Sequence, residues 1–337
     1  MNHQRRHRVW GLRETVGIAA AICVGLVALA FLWMLIIARP GAQNLGITFS
    51  SRYAEDLGLN AEDVLTELIT DVGVRDIRLP VYWSEIERMP GVWNFEKLDR
   101  FMAIAEQYDA RITLAIGMKV PRWPECFAPE YLNAASDSVL DAAVYRYVQA
   151  LTDHARHYPA LVRWQVENEP LFPYGNCPSP SLNRLRNEVE LVRLLDTQHP
   201  VMLTVSGEQE PWLDLAPLAD TIGVSMYRFA YNDTLGPVTF PHKPMYYRMH
   251  AMYAKLFVTD VMISELQMEP WFTGSPQVDG SIAIPFSETD FTEHLNFAKQ
   301  TGIREVLLWG AEWWYYQKMH GDDSLWNAAR RAFSESE

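Results

Sequence analysis

Along most of the chain, short apolar runs alternate with longer segments whose apolar residues recur at helical spacing. The runs fall at residues 45–49, 77–80, 112–116, 162–167, 201–205, 221–225, 261–264 and 305–309. The helical segments after them fall at 61–72, 95–108, 139–158, 182–196, 212–218, 246–256, 288–301 and 325–333. Strands this apolar are covered on both faces, as parallel strands are, and strict alternation implies right-handed crossovers. Eight pairs in unbroken order predict an α/β fold, a (β/α)8 TIM barrel over residues 45–337. An open doubly wound sheet is the rival, but no glycine-rich phosphate loop follows the first run, where NLGITFSSRY stands. Local signals agree: SETD from Ser287 reads as a capped helix start, and Gly302 as its stop.

A different pattern opens the chain. Arg5, Arg6, Arg8 and Arg13 face only Glu14, and residues 16–38 carry no charge at all. Roughly 20 apolar residues cross a bilayer. The segment 15–38 therefore reads as a transmembrane signal-anchor, with 1–14 a cytoplasmic tail, 39–44 a short linker and the barrel outside the cytoplasm. A cleaved signal peptide is the alternative, with Ala38 and Ala42 in the cleavage region, although its apolar stretch is normally about 7 to 15 residues.

Composition narrows the classes further. A net charge of −13, with basic residues clustered only in the tail, argues against a nucleic-acid partner. No Gly/Ser run or charge block splits the rest, so one domain is expected. Of the three cysteines, Cys23 lies in the apolar segment. Cys126 and Cys177 lie in loops after the third and fourth runs; outside the cytoplasm they would pair, and otherwise they stay as thiols. No CxxC or His/Cys cluster suggests a metal or cofactor.

Such a barrel carries its chemistry at the C-terminal ends of its strands. The fourth run ends in Asn168, Glu169 and Pro170, and the seventh in Glu265. A carboxylate there is expensive unless something uses it. Around this pair the other strand ends supply Arg78, then Lys119, Arg122 and Trp123, then Met226, Tyr227 and Arg228, and last Trp309 with Glu312, Trp313 and Trp314 behind it. Aromatic faces beside carboxylates suit a sugar ring, and two carboxyl groups are what glycosidic cleavage requires.

The set Asn168-Glu169-Pro170, Glu265, Arg78, Tyr227 and Trp309 resembles the clan A glycoside hydrolases, retaining enzymes on (β/α)8 barrels. The stretch LPVYWSEIERMPGVWNFEKLDRF, from Leu79, is similar to that clan's second loop, and the likeness runs from Leu45 to about Phe333. It implies Glu169 as general acid/base, with its proton held at raised pH, and Glu265 as nucleophile. Asn168 would hold the sugar 2-hydroxyl, while Arg78 and Tyr227 would hold Glu265. Trp123, Trp309 and Trp313 would bind the poly- or oligosaccharide. The pattern departs from some families, which place a histidine where IGMKVPRWP and VSMYR stand here.

Competing assignments stay open at several residues. Glu167 is a rival for the acid, Arg78 for a plain ion pair, and Trp309 and Trp313 for core packing. Glu208, Glu269 and Glu312 are expected on a solvated rim or in subsite contacts. The long connections 228–244 and 269–286 are expected to lack structure of their own and to wall the cleft. The implied activity is an anchored, extracytoplasmic retaining glycosidase without a metal. A tethered, non-catalytic glycan receptor is the alternative. A metal-dependent barrel hydrolase would want His-x-His at the end of the first run, where ITFSS stands.

Overall fold

The computed structural model describes residues 11–37, 42–232, 234–273 and 281–335. The chain divides into two units, Met1–Pro40 and Gly41–Glu337. In the first, Leu12–Ile37 is a helix of 26 residues, along which Val16, Val24, Val27 and Leu29 are exposed. Most of the expected tail, the last residue of the expected anchor and residues 39–41 of the expected linker lie outside the described residues, as do the side chains of 33–37. Among the described residues no helix is long and apolar enough to cross a membrane.

In the second unit all eight expected strands form. They are β1 Asn44–Thr48, β2 Asp76–Pro80, β3 Arg111–Ile116, β4 Leu161–Val166, β5 Val201–Ser206, β6 Thr221–Met226, β7 Asp260–Gln267 and β8 Glu305–Trp309. Each pairs in parallel with its neighbours in sequence, and β8 closes on β1. The strand period of two divides the residues between two faces. Ile47, Ile77, Leu79, Leu114, Trp164, Val205, Val224, Ile263 and Leu308 join the continuous core shared with the helices. The inside differs from the expectation of apolar cover on both faces. Hydrogen bonds cross the barrel between Thr48, Arg78, Gln165, Thr204 and the Ser264 carbonyl, and the strand residues Met202, Met262 and Leu307 form a small apolar cluster apart from the main core.

The helices follow the pattern with three informative departures. Residues 212–218 yield only a short 3-10 turn, Ala216–Leu218, because Pro217 has no N–H to give to a helix. A further helix, Ala311–Met319, starts directly after β8 and before Ser324–Ser334. The long connections are structured: Phe229–Asn232 pairs with Gly236–Thr239, and Trp271–Phe272 with Ile282–Ile284. Ser287 and Asp290 form the expected capping box, and Gly302 ends that helix at φ 77°. Finally, β7 continues past Glu265, with its register against β6 shifting at Ser225. The extra residue of such a bulge re-aims the side chain that follows it.

Candidate active site

The centre of the site is Arg78 on β2, fully buried. Its Nε donates to Gln165 Oε1 at 2.6 Å, its Nη1 to Glu265 Oε1 at 2.6 Å and its Nη2 to Asn168 Oδ1 at 2.6 Å. One planar fork thus fixes the ends of β4 and β7 relative to each other, which a lysine ammonium could not do. The other carboxylate oxygen of Glu265 accepts the Tyr227 hydroxyl at 3.1 Å. Burial and the Glu265 charge push the Tyr227 phenol well up, so it remains a donor.

Glu169 is held from its backbone. Its N–H donates to Thr204 Oγ1 at 2.8 Å, and that hydroxyl donates to Asn168 Oδ1 at 3.2 Å. Lys119 Nζ caps the same turn, donating to the Glu169 and Phe172 carbonyls at 2.9 and 2.8 Å. Burial, and after it the negative charge of Glu265, raise the Glu169 carboxyl well above the usual carboxylate range. The two glutamates therefore differ by environment: one has a guanidinium, the other keeps a proton. Glu167, the rival for the acid, is used up structurally. Its two oxygens accept the N–H groups of Met118 and Lys119, both at 2.7 Å, tying β4 to the loop after β3.

A third carboxyl enters from the loop after β3. Glu125 Oε2 accepts Asn168 Nδ2 at 3.1 Å, and burial followed by the Glu265 charge pushes Glu125 up to about 8. Sequence reasoning missed it, because it sits on no strand. The disulfide Cys126–Cys177, with Cα atoms 5.3 Å apart, anchors the adjacent residue to the loop after β4. Gly175 of that loop, at φ 85°, lies so close that a Cβ there would come within 2.5 Å of Glu125 Cβ. Among the described residues, five other than glycine have positive φ, and four are on this face: Arg122, Glu125, Glu167 and Glu169. Such conformations cost on the order of 1–3 kcal/mol each and gather where function holds them.

Opposite lies a second cluster. Arg122 pairs with Glu269 at 2.5 Å and Glu312 at 3.1 Å, and its guanidinium is stacked on Tyr53 and Trp309 at 3.8 and 3.9 Å from the ring centroids. Glu269 and Glu312 are thus buried props rather than rim residues. Glu208 is buried as well, accepting the Tyr227 N–H at 3.0 Å and the Tyr247 hydroxyl. Trp309 therefore has one face covered by a cation. Trp313 is buried between Phe272 and Tyr316, whereas Trp123 is 61% exposed and edge-on to Tyr174. Tyr174 also stacks on Phe172, and it is pushed up to about 12 by burial and then by the charges of Glu125, Glu169 and Glu265.

A cavity of about 890 Å³ reaches this loop through Pro124 and Cys126 but is lined by neither Glu169 nor Glu265, and Lys97, on its wall, is paired with Glu55 and Glu85. Among the described residues no three His, Cys, Asp or Glu side chains are grouped to hold a metal ion.

No family model matches the chain. A β-galactosidase BgaB of Geobacillus sp. (strain Y412MC61) is 25% identical over 131 residues, 33% of this chain and 19% of that protein. The chain thus spans about a fifth of the curated relative it matches. Among solved structures, the exo-β-1,4-mannosidase Op5Man5 from Opitutaceae bacterium strain TAV5 superposes with TM-score 0.59 at 13% identity, over 88% of this chain and 60% of that one. Xylanase10C from Cellvibrio japonicus gives TM-score 0.58 at 14% identity, over 89% and 71%. The structural neighbours are clan A glycoside hydrolases, and this chain has their closed eight-stranded parallel barrel without belonging visibly to any one family among them.

Proposed function

We propose that the chain is a retaining glycoside hydrolase acting by double displacement on a poly- or oligosaccharide. The observation that carries this is the Arg78 fork, which joins Glu265 to Asn168, the residue directly before Glu169, and so ties the strand ends that bear the two glutamates. Glu265 Oε1 or Oε2 would attack the anomeric carbon as Glu169 gives its proton to the departing oxygen, leaving a glycosyl ester on Glu265. Glu169, now a carboxylate, would then take a proton from water, which attacks the same carbon and frees Glu265. Tyr227 and Arg78 hold the nucleophile in line throughout. Trp123 and Tyr174, edge to face on the loops after β3 and β4, would supply apolar faces for the leaving-group side. Asn168 is tied up by Arg78 and Glu125 but keeps an amide edge for the sugar bound at Glu265.

The location belongs to the same proposal. The uncharged run 16–38 behind an arginine-rich start favours a membrane anchor with the barrel outside the cytoplasm, and the Cys126–Cys177 bridge suits an oxidising compartment. The substrate would then be an exported glycan.

The test is intact mass of the purified chain after incubation with activated 2-fluoro glycosides, wild type against Glu265→Gln. A covalent adduct on the wild type alone is the expected result. Glycan binding without any adduct would favour the tethered receptor instead.

A further inference from the structure

We propose that Glu125 is a specificity-determining residue that reads the ring substituent next to the anomeric carbon, and that the substituent it selects is a cationic amine, as in a 2-amino-2-deoxy sugar. This rests on the glycosidase reading above. The position follows from a chain of three hydrogen bonds: Glu265 to Arg78, Arg78 to Asn168, and Asn168 to Glu125, at 2.6, 2.6 and 3.1 Å. On the glycosidase reading, in which Asn168 holds the substituent next to the anomeric carbon, that substituent lies on the side of Glu125, the acceptor of the Asn168 amide.

The charge follows from what surrounds Glu125. Three carboxyls, Glu125, Glu169 and Glu265, converge here. The Arg78 nitrogens are committed to Gln165, Glu265 and Asn168, and the Lys119 ammonium donates to the Glu169 and Phe172 carbonyls. Among the described residues, the Glu125 carboxyl has no ion pair and a single hydrogen bond, from the neutral Asn168 amide. Burial, and after it the Glu265 charge, raise it against the smaller pull of Lys119 and Arg78, neither of which pairs with it directly. An incoming ammonium would supply the missing charge and a charge-assisted hydrogen bond, displacing the carboxyl proton. A hydroxyl supplies only a neutral hydrogen bond, and an acetamido group brings extra bulk and no charge.

The residue is also built into place rather than left at a mobile edge. It sits at φ 73°, one residue from the Cys126–Cys177 bridge, with Gly175 cleared of any side chain against it. A stray surface glutamate needs none of these devices.

The experiment is steady-state kinetics of the full chain on 4-nitrophenyl glycosides bearing a hydroxyl, an ammonium or an acetamido group at C2, in gluco, galacto and manno series. In the series accepted, we expect kcat/KM for the ammonium substrate to exceed that for the hydroxyl by about tenfold or more, the scale of a hydrogen bond to a charged group. Glu125→Gln should lower that ratio by about the same factor, whatever it does to both rates. Equal use of the two substrates by the wild type, preference for the acetamido group, or an unchanged ratio in a folded Glu125→Gln protein would each overturn the proposal. The wild-type ratio decides even if the variant does not fold. Covalent labelling of Glu265 in the same preparation separates this failure from failure of the glycosidase reading.

Discussion

Arg78 and Arg122 are two buried guanidinium groups at one barrel mouth, each among carboxylates, and they are used in opposite ways. Arg122 meets two carboxylates, Glu269 and Glu312, and is enclosed by two aromatic rings. Its charge is compensated locally, which is how a clamp is made. Arg78 meets only one, Glu265, and spends its other nitrogens on neutral amides. Among the described residues Glu125 and Glu169 have no direct ion pair, and burial with the Glu265 charge drives them to hold protons. The lesson is that a count of charges does not locate chemistry; the unbalanced cluster does.

The comparison is broken most severely at the nucleophile. Glu265→Gln should abolish turnover by on the order of 10⁵-fold, the scale for losing a covalent nucleophile, in a rate assay on an aryl glycoside. Glu169→Gln should cost about 10²–10⁴-fold on substrates whose leaving group needs a proton, and far less on those with an activated phenol, so the ratio of the two substrates is the readout. An equal loss on both would remove Glu169 from the acid role.

On the balanced side the effect belongs to stability. Arg122→Met, which strands two buried carboxylates, should cost about 3–5 kcal/mol in denaturant unfolding. Adding Glu269→Gln and Glu312→Gln to it should recover part of that loss. If the triple variant is worse than the single one, the cluster is more than charge compensation.

The smallest effect is in pH dependence. Glu125 is pushed up to about 8, chiefly by burial, and Glu208 and Glu312 to about 7, also by burial. Between the unfolded value near 4.5 and these folded values, the native state binds more protons than the unfolded chain. Stability should therefore fall as pH rises from about 5 to 8 and flatten above that window. Melting temperatures across this range check the sign, and Glu125→Gln should reduce the slope.

Much of this was visible in the sequence, and the reasons are physical. Strands β1 to β8 announced themselves because the helix-facing core makes every strand apolar on at least one side. Arg78, Asn168, Glu169, Tyr227 and Glu265 were readable because strand ends fix their position. Glu125 was not, because PRWPECF follows no periodic pattern and its position depends on Gly175 and Cys177, some fifty residues away. Its signals were the neighbouring cysteine and prolines. Glu269 and Glu312 were misplaced on the rim because nothing local shows that Arg122, from another loop, is folded over them. The expected helix at 212–218 is cut to a 3-10 turn at Pro217, whose ring and missing N–H outweigh the apolar spacing around it.

Three glycines on this face, Gly117, Gly175 and Gly310, each leave a space in which an added Cβ would come within 2.5 Å of a buried glutamate: Glu167, Glu125 and Glu269 respectively. All three have positive φ. The clearance is one carbon atom wide, so sequence drift here is one-sided. Shortening Glu125 or Glu269 to aspartate keeps the very Cβ that the glycine faces, so the glycine still cannot grow, and only the acid of each pair is free to change.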